Sequence, residues 1–252
     1  MIKALKSWSA AIGTIGGIAL ATVFSSIAPV LALPAEQVSS ALGPTPVFFI
    51  VSNDNKILFI DQKEQNQKIA PRFLSQQDAQ QFLQKLQQSN PQVANGARIA
   101  VLPLAQAYNI DGDVSSQREI QFEYVPIQQQ FQNARSMTQE FVGVPLFYAT
   151  VGQDSITLEE NGKTVVPFFF EREALQQMVD RFKQAQPNRA SEIQFKVVAL
   201  EALIETLKTS NDNNLSRITL VPSQDSIAFI RSIQQQAQQQ NQQNQQNPQN
   251  RR

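Results

Sequence analysis

The sequence predicts an α+β fold made of two copies of one ββ(β)αβαβα unit, packed as one body. Three observations predict it. Shifted by 96 positions, the chain aligns with itself without a gap from Pro71 to Met137, with 14 identities over 67 columns. A composition this rich in Gln gives about five by chance. Short apolar runs and helical stripes follow one another in the same order in both copies. Hydrophobic residues make up 42% of the 252 residues and 16 of them are Phe, enough core material for such elements.

The matched positions are specific. Pro71 meets Pro167, Phe73 meets Phe169, Pro91 meets Pro187, and Leu104 meets Leu200. Val125-Pro126 meets Val221-Pro222, and Arg135-Ser136 meets Arg231-Ser232. Upstream the offset becomes 99, so that Pro46-Val47-Phe48 meets Pro145-Leu146-Phe147 and Ile57 meets Ile156.

Each copy opens with an apolar run, Val47 to Val51 or Leu146 to Val151. A polar turn leads to a second run, Ile57–Ile60 or Ile156–Leu158, which is a β-hairpin signal. Extended pieces follow at Arg72–Leu74 and Phe168–Phe170. A helix comes next. In the first copy Ser75 and Asp78 make a capping-box-like start, and Ala79, Phe82, Leu83 and Leu86 form one stripe at i, i+3, i+4 and i+7. Leu175, Met178, Val179 and Phe182 repeat the stripe. Pro91 and Pro187 stop these helices.

A strand follows at Arg98–Leu102 and Gln194–Val198, then a short helix from Leu104 or Leu200. The next strand alternates: Ile120, Phe122 and Tyr124 against Gln121 and Glu123, with Ile218 and Leu220 in its twin. Alternation predicts sheets with one buried and one wetter face. After Pro126 and Pro222 comes a last helix, with Phe131 and Ala134, or Ile227 and Ile230, facing inward. The first of these, about residues 127–141, is expected to bridge the halves.

The ends differ from the middle. Lys3 and Lys6 precede an uncharged apolar stretch to Ala35, broken by Pro29 and followed by Val30-Leu31-Ala32, a small-residue cleavage site. This predicts a signal peptide over 1–32 with cleavage after Ala32, and hence export to a periplasm, with a thylakoid lumen also open. Residues 33–43 read as a linker, 44–137 and 138–233 as the two halves. From Gln234 the chain holds 11 Gln up to Gln249, so 234–252 is expected to be a disordered tail.

Absences narrow the chemistry. The chain has neither Cys nor His, which removes thiolate nucleophiles, disulfides, Ser-His-Asp triads and imidazole-bound zinc. Lys+Arg and Asp+Glu are 21 each, and this balance argues against nucleic acid as a partner. Asp111-Gly112-Asp113 lacks the further acids of a calcium loop and reads as a turn. Glu159-Glu160 and Glu171-x-Glu173 sit at a turn and a helix start, where acids are at home. Arg135 and Arg231 are expected to close a helix or pair locally. No enzyme, cofactor or metal is expected, and a carboxylate hydrolase needs a facing acid pair in a cleft.

The phrases Pro44-Thr-Pro-Val-Phe-Phe-Ile-Val, Pro71-Arg-Phe-Leu-Ser-Gln-Gln-Asp-Ala-Gln-Gln-Phe-Leu and Arg98-Ile-Ala-Val-Leu-Pro-Leu resemble a known family. So do their echoes Val144-Pro-Leu-Phe-Tyr and Val165-Val-Pro-Phe-Phe-Phe. The chain looks like a cyanobacterial member of the twenty-two-kilodalton Tic family, soluble components between the envelope membranes in chloroplast protein import. The resemblance covers Pro44 to Ile233. It implies a non-enzymatic periplasmic transport and chaperone-like factor with an apolar pocket in each half. It also implies partners: an Omp85-type outer-membrane assembly protein and unfolded or translocating polypeptides, with peripheral membrane association. The alternative is a structural assembly subunit of the lumen or periplasm that escorts no client.

Phe168, Phe170, Phe48, Phe147 and Leu74 are the candidates for an apolar client or partner groove. Side chains alternate along an extended segment, so Phe168, Phe169 and Phe170 cannot all face one core. Phe169 and Phe73 are expected to be the inward pair. Arg72 occupies the slot matched to Phe168, so Phe168 is expected to be the more exposed. The Phe168–Phe170 pair then needs cover at the contact between halves or in a groove.

Overall fold

The computed structural model describes residues 3–5, 35–62, 67–114, 120–210 and 212–246. The expected signal segment, apart from Lys3–Leu5, and the cleavage site after Ala32 lie outside them, as do residues 247–252.

The chain is a mixed α and β structure with two sheets. The first is built on β2 (Pro46–Val51), β3 (Ile60–Gln62), β4 (Gln67–Phe73), β5 (Arg98–Pro103) and β6 (Ile120–Val125). It runs β3-β4-β2-β5, and β6 adds to β4 in parallel, Phe73 opposite Val125. The second holds β7 (Pro145–Val151), β8 (Asp154–Glu160), β9 (Lys163–Phe169), β10 (Ile193–Ala199) and β11 (Ile218–Val221), with β1 (Lys3–Leu5) at its edge. Here β11 adds to β9 in parallel, Phe169 opposite Val221. Phe48 opposes Phe73 in the first sheet and Phe147 opposes Phe169 in the second.

Pro71 and Pro167 lie inside strands, which explains why they look like breaks in the sequence. β4 pairs with β3 up to Ile69 and with β2 at Phe73, so Pro71 falls in the gap between partners, where no donor is needed. Pro167 falls between the pairing of Val165 with β8 and that of Phe169 with β7. The expected hairpin is short in the first copy. Ile57 bridges Val51 and the Leu58 amide donates to the Ile50 carbonyl at 2.8 Å, after which β3 turns to β4.

The helices follow the predicted stripes. In α2 (Gln76–Ser89) the Ser75 hydroxyl accepts from the Asp78 amide at 3.2 Å, satisfying one of the free donors of the first turn. Asn90 ends α2 and caps α3 (Pro91–Ala94), which opens on Pro91 because a proline at the first helical position loses no bond. In the second half α6 (Arg172–Ala185) buries Leu175, Met178, Val179 and Phe182, and a 3₁₀ turn at Pro187–Glu192 follows. α4 (Leu104–Val114) and α7 (Leu200–Thr209) come after β5 and β10. Asp111 and Asp113 belong to the last turns of α4, not to a loop turn.

The core has three parts. Val47, Phe49 and Val51 from the first sheet meet Leu146, Val166 and Phe168 from the second in a shared centre, filled by Leu104, Leu200, Leu203 and Leu207 of α4 and α7. The other face of the second sheet buries Phe147, Ala149, Val151 and Phe169 against α6. The other face of the first buries Phe48, Ile50 and Phe73 against Ala79 of α2. β2 is therefore buried on both faces. The expected wetter face does not exist there, because a helix layer covers one side and the opposite sheet the other.

Two segments differ from expectation. Residues 33–43 are not a linker throughout: Ala35–Leu42 form α1, and Val38, Ala41 and Leu42 enter the shared centre. Their spacing, i, i+3 and i+4, is one helical stripe. The tail is also helical further than expected. α8 (Gln224–Gln246) continues through the Gln-rich stretch. Gln is a good helix former, and no Gly or Pro interrupts before Pro248. A helix already nucleated and packed at its start extends at little cost per residue.

The last helix of each copy packs on the other copy's sheet. α5 (Gln128–Met137) places Ala134 in the core of the second sheet. α8 places Phe229 against Phe48 of the first sheet, ring centroids 5.1 Å apart and edge to face. The expected bridging helix is thus one of an exchanged pair.

Candidate functional site

The exchange of helices creates an apolar groove. Where α8 crosses the first sheet it leaves a cleft of about 180 Å³ lined by Pro46, Val101, Leu102, Phe229, Ile230 and Ile233. Ile233 of α8 is 43% exposed at its rim. Phe48 lies beneath, held by Phe229.

The five groove candidates read from sequence are all core residues here. Phe168, Phe170, Phe48, Phe147 and Leu74 are buried, and none lines this groove. The expectation for Phe168 is reversed: it is 0% exposed. Phe168 and Phe170 find their cover in the shared centre, while Phe169 and Phe73 face the outer cores of their own sheets. Alternation along the strand sets these faces as expected, but the charged Arg72 does not mark an outward slot. Arg72 is itself 0% exposed. Its guanidinium lies over Phe122, Phe49 and Tyr124 and donates to the Tyr124 hydroxyl at 3.3 Å. Flat and weakly hydrated, it packs like an aromatic ring.

The groove residues were individually legible as apolar positions of a strand and a helix. Their meeting was not, because it needs a helix to cross to the sheet of the other copy. The one hint is that Ile230 and Ala134 occupy matching positions ahead of the same Arg-Ser pair.

The polar groups serve structure. Gln130, buried on α5, accepts from the Arg172 amide at 3.0 Å and donates to Glu173 at 2.7 Å. Asn133 donates to the other Glu173 oxygen at 2.9 Å. Burial pushes the Glu173 carboxyl up, but these hydrogen bonds outweigh it and hold it below the usual range. Glu171 accepts from the Gln224 amide at 3.1 Å at the start of α8, and burial raises it. Each acid therefore ties an exchanged helix to the start of α6. Glu159 accepts from Thr164 at 2.8 Å, and Arg135 donates to the Gln139 carbonyl at 3.3 Å. Among the described residues no cluster of acids could hold a metal ion, and no helix is long and apolar enough to cross a membrane.

Known proteins are similar to this chain in sequence and in architecture. The chain is 21% identical to chloroplastic protein TIC 22 of Pisum sativum over 188 residues, 72% of this chain and 70% of that protein. It is 22% identical to the Arabidopsis thaliana protein of the same name over 193 residues, 74% of this chain and 67% of that one. The solved structure described as Anabaena Tic22 (protein transport) superposes with a TM-score of 0.69 at 20% identity, covering 79% of this chain and 97% of that one. Tic22 from Plasmodium falciparum superposes with a TM-score of 0.61 at 20% identity, covering 78% and 97%. The profile of the Tic22-like family matches residues 6–232, nearly the whole folded body, and the chain belongs to that family.

Proposed function

We propose that the chain is a non-enzymatic periplasmic protein-transport factor that escorts unfolded or translocating polypeptides and supports outer-membrane biogenesis with an Omp85-type assembly protein. One observation carries the escort reading: the outer face of the first sheet is incompletely covered. On α2, Phe82, Leu83 and Leu86 are only partly buried, whereas Met178, Val179 and Phe182 at the matching positions of α6 are buried. Together with the cleft under α8, this offers apolar surface to an extended client segment. The Anabaena neighbour's description as protein transport points the same way. The periplasmic location rests on the signal reading of 1–32. The matched strand orders and the exchanged helices support descent of the two halves from one duplicated unit.

The test is an aggregation assay. An outer-membrane β-barrel protein diluted from urea is followed by light scattering with and without the full chain. Wild type suppresses scattering. Ile233→Glu, which charges the groove rim at an exposed position, loses suppression while its melting temperature stays put. No suppression by wild type sinks the escort reading. A titration against the periplasmic region of an Omp85-type protein checks the partner by saturable binding.

A further inference from the structure

One strand has no counterpart in the repeat. β1 pairs antiparallel with the outer edge of β8, Lys3 opposite Thr157, Ala4 opposite Ile156 and Leu5 opposite Ser155. Other β8 pairings are already taken: Asp154 and Ser155 pair with β7, and Leu158 to Glu160 with β9. β1 thus extends the second sheet beyond β8.

At the matching place the first sheet carries no added strand among the described residues, because it has no strand there to accept one. At the 99-residue offset Ser155 corresponds to Lys56. The Lys56 side chain is 81% exposed and lies 2.6 Å from Asp54 in an ion pair. The Ser52 hydroxyl donates to the same carboxylate at 2.5 Å. Lys56 thus belongs to a polar turn between β2 and the Ile57 bridge, and no strand runs through the positions matched to Ser155–Thr157. In the second half β8 runs through them. Ser155 is uncharged and 3% exposed, and Ile156 and Thr157 are buried beside it.

We infer that the outer edge of β8, Ser155 to Thr157, is a strand-accepting site for an extended segment of a client polypeptide, with Lys3–Leu5 as its internal stand-in. The identity of the occupant rests on the escort reading; the site itself does not. Main-chain amides and carbonyls supply the affinity in strand addition, so many client sequences fit one edge. While the first residues stay attached they compete at the high effective concentration of a tethered segment. Their removal, which the signal reading expects, opens the site. The edge is separate from the groove, which lies on the other sheet.

The experiment uses the full chain. In the double variant Ala4→Pro/Leu5→Pro, β1 lacks two of its three amide hydrogens and cannot pair, and among the described residues the core clusters begin at Val38, so an unchanged melting temperature is the control for the fold. Among Ser155, Ile156 and Thr157, the amides that face β1 exchange slowly in wild type and faster in the variant. A synthetic peptide copying residues 1–8 then binds the variant and restores protection. Wild type binds it about a hundredfold more weakly, because its own strand competes. The same peptide N-methylated at its fourth and fifth residues fails to bind. Fast exchange in wild type, or equal binding of the methylated peptide, overturns the site. In the aggregation assay the variant suppresses scattering better than wild type. Peptide binding with no suppression by either chain overturns the client as occupant and the escort reading with it. Equal suppression by both chains with no peptide binding overturns the edge alone.

Discussion

The guanidinium of Arg72 lies 3.9 Å over the ring of Phe122, fully buried between the two sheets. Its match in the second half, Phe168, stacks on Tyr148 with centroids 4.7 Å apart. Arg72 also lies 5.5 Å from Phe49, the residue matched to Tyr148 at the 99-residue offset. The same slot is therefore filled by a cation on a ring in one half and by a ring on a ring in the other. Cation–π attraction strengthens when water is excluded, which offsets part of the loss of hydration.

Volume, more than charge, sets the worth of Arg72. Replacing a buried charge by an apolar residue of similar size is often neutral, whereas emptying a large core slot costs about 3 kcal/mol or more. Arg72→Met is expected to stay within about 1.5 kcal/mol of wild type in urea unfolding. Arg72→Ala is expected to lose about 3 kcal/mol or more. Equal losses for the two would show that the charge itself holds the slot.

Phe168 is expected to behave as a core residue in every assay. Phe168→Ala should cost about 3–5 kcal/mol, the usual range for removing a buried ring. Phe168→Glu places a carboxylate in the shared centre and should leave the chain unfolded, by circular dichroism, at neutral pH. A folded Phe168→Glu chain with reduced client binding would instead make Phe168 part of a groove.

Local features of the fold were legible in the sequence and long-range ones were not. The α2 and α6 stripes, the Ser75 cap and the facing of Phe73 and Phe169 follow from periodicity, which a chain segment carries by itself. The burial of both faces of β2 depends on what the other half supplies. The exchange of α5 and α8 depends on a connection long enough to cross, which leaves no periodic mark. The α1 stripe was legible, but Val38, Ala41 and Leu42 span barely one turn and stand next to the stretch read as an export signal. The groove at Ile233 was hidden for the same reason as the exchange.

Gln130 holds the exchange together on the second sheet. Its side chain joins α5 to the Arg172 amide and to Glu173. Truncating a buried polar group leaves its partners unsatisfied, at about 1–3 kcal/mol. Gln130→Ala should lose that much in urea unfolding. Glu173→Gln in the Gln130→Ala background should cost less than in wild type, because the shared bond is already gone. Additive losses would mean that the two side chains do not act together.

Gly143 is required by geometry. Its φ is +93°, and a Cβ there would stand 2.5 Å from Oε2 of Glu201. Gly143→Ala therefore strains the backbone and pushes Glu201 from its place, at about 1–3 kcal/mol. Thermal melts of the variant should show a clear drop, and an unchanged melting temperature would contradict the close approach.

Glu201 makes part of the stability pH-dependent. Its Oε2 accepts from the Val144 amide at 3.0 Å. Burial pushes its carboxyl above the ordinary value of 4.5, more than the hydrogen bonds pull it down. A raised folded-state pKa means that the folded chain holds this proton more tightly than the unfolded chain does. The contribution is then fully present below 4.5 and is lost as pH rises through the folded-state value. Glu201→Gln keeps an oxygen to accept from Val144 but has no proton to lose. The stability of the variant minus that of wild type should therefore grow more favourable from pH 4 to pH 7, two values chosen to lie about either side of the carboxylate range. Any fixed cost of the amide group is the same at both and cancels. Paired urea titrations measure the difference, and one that stays flat with pH would show that the carboxyl titrates alike in the folded and unfolded chains.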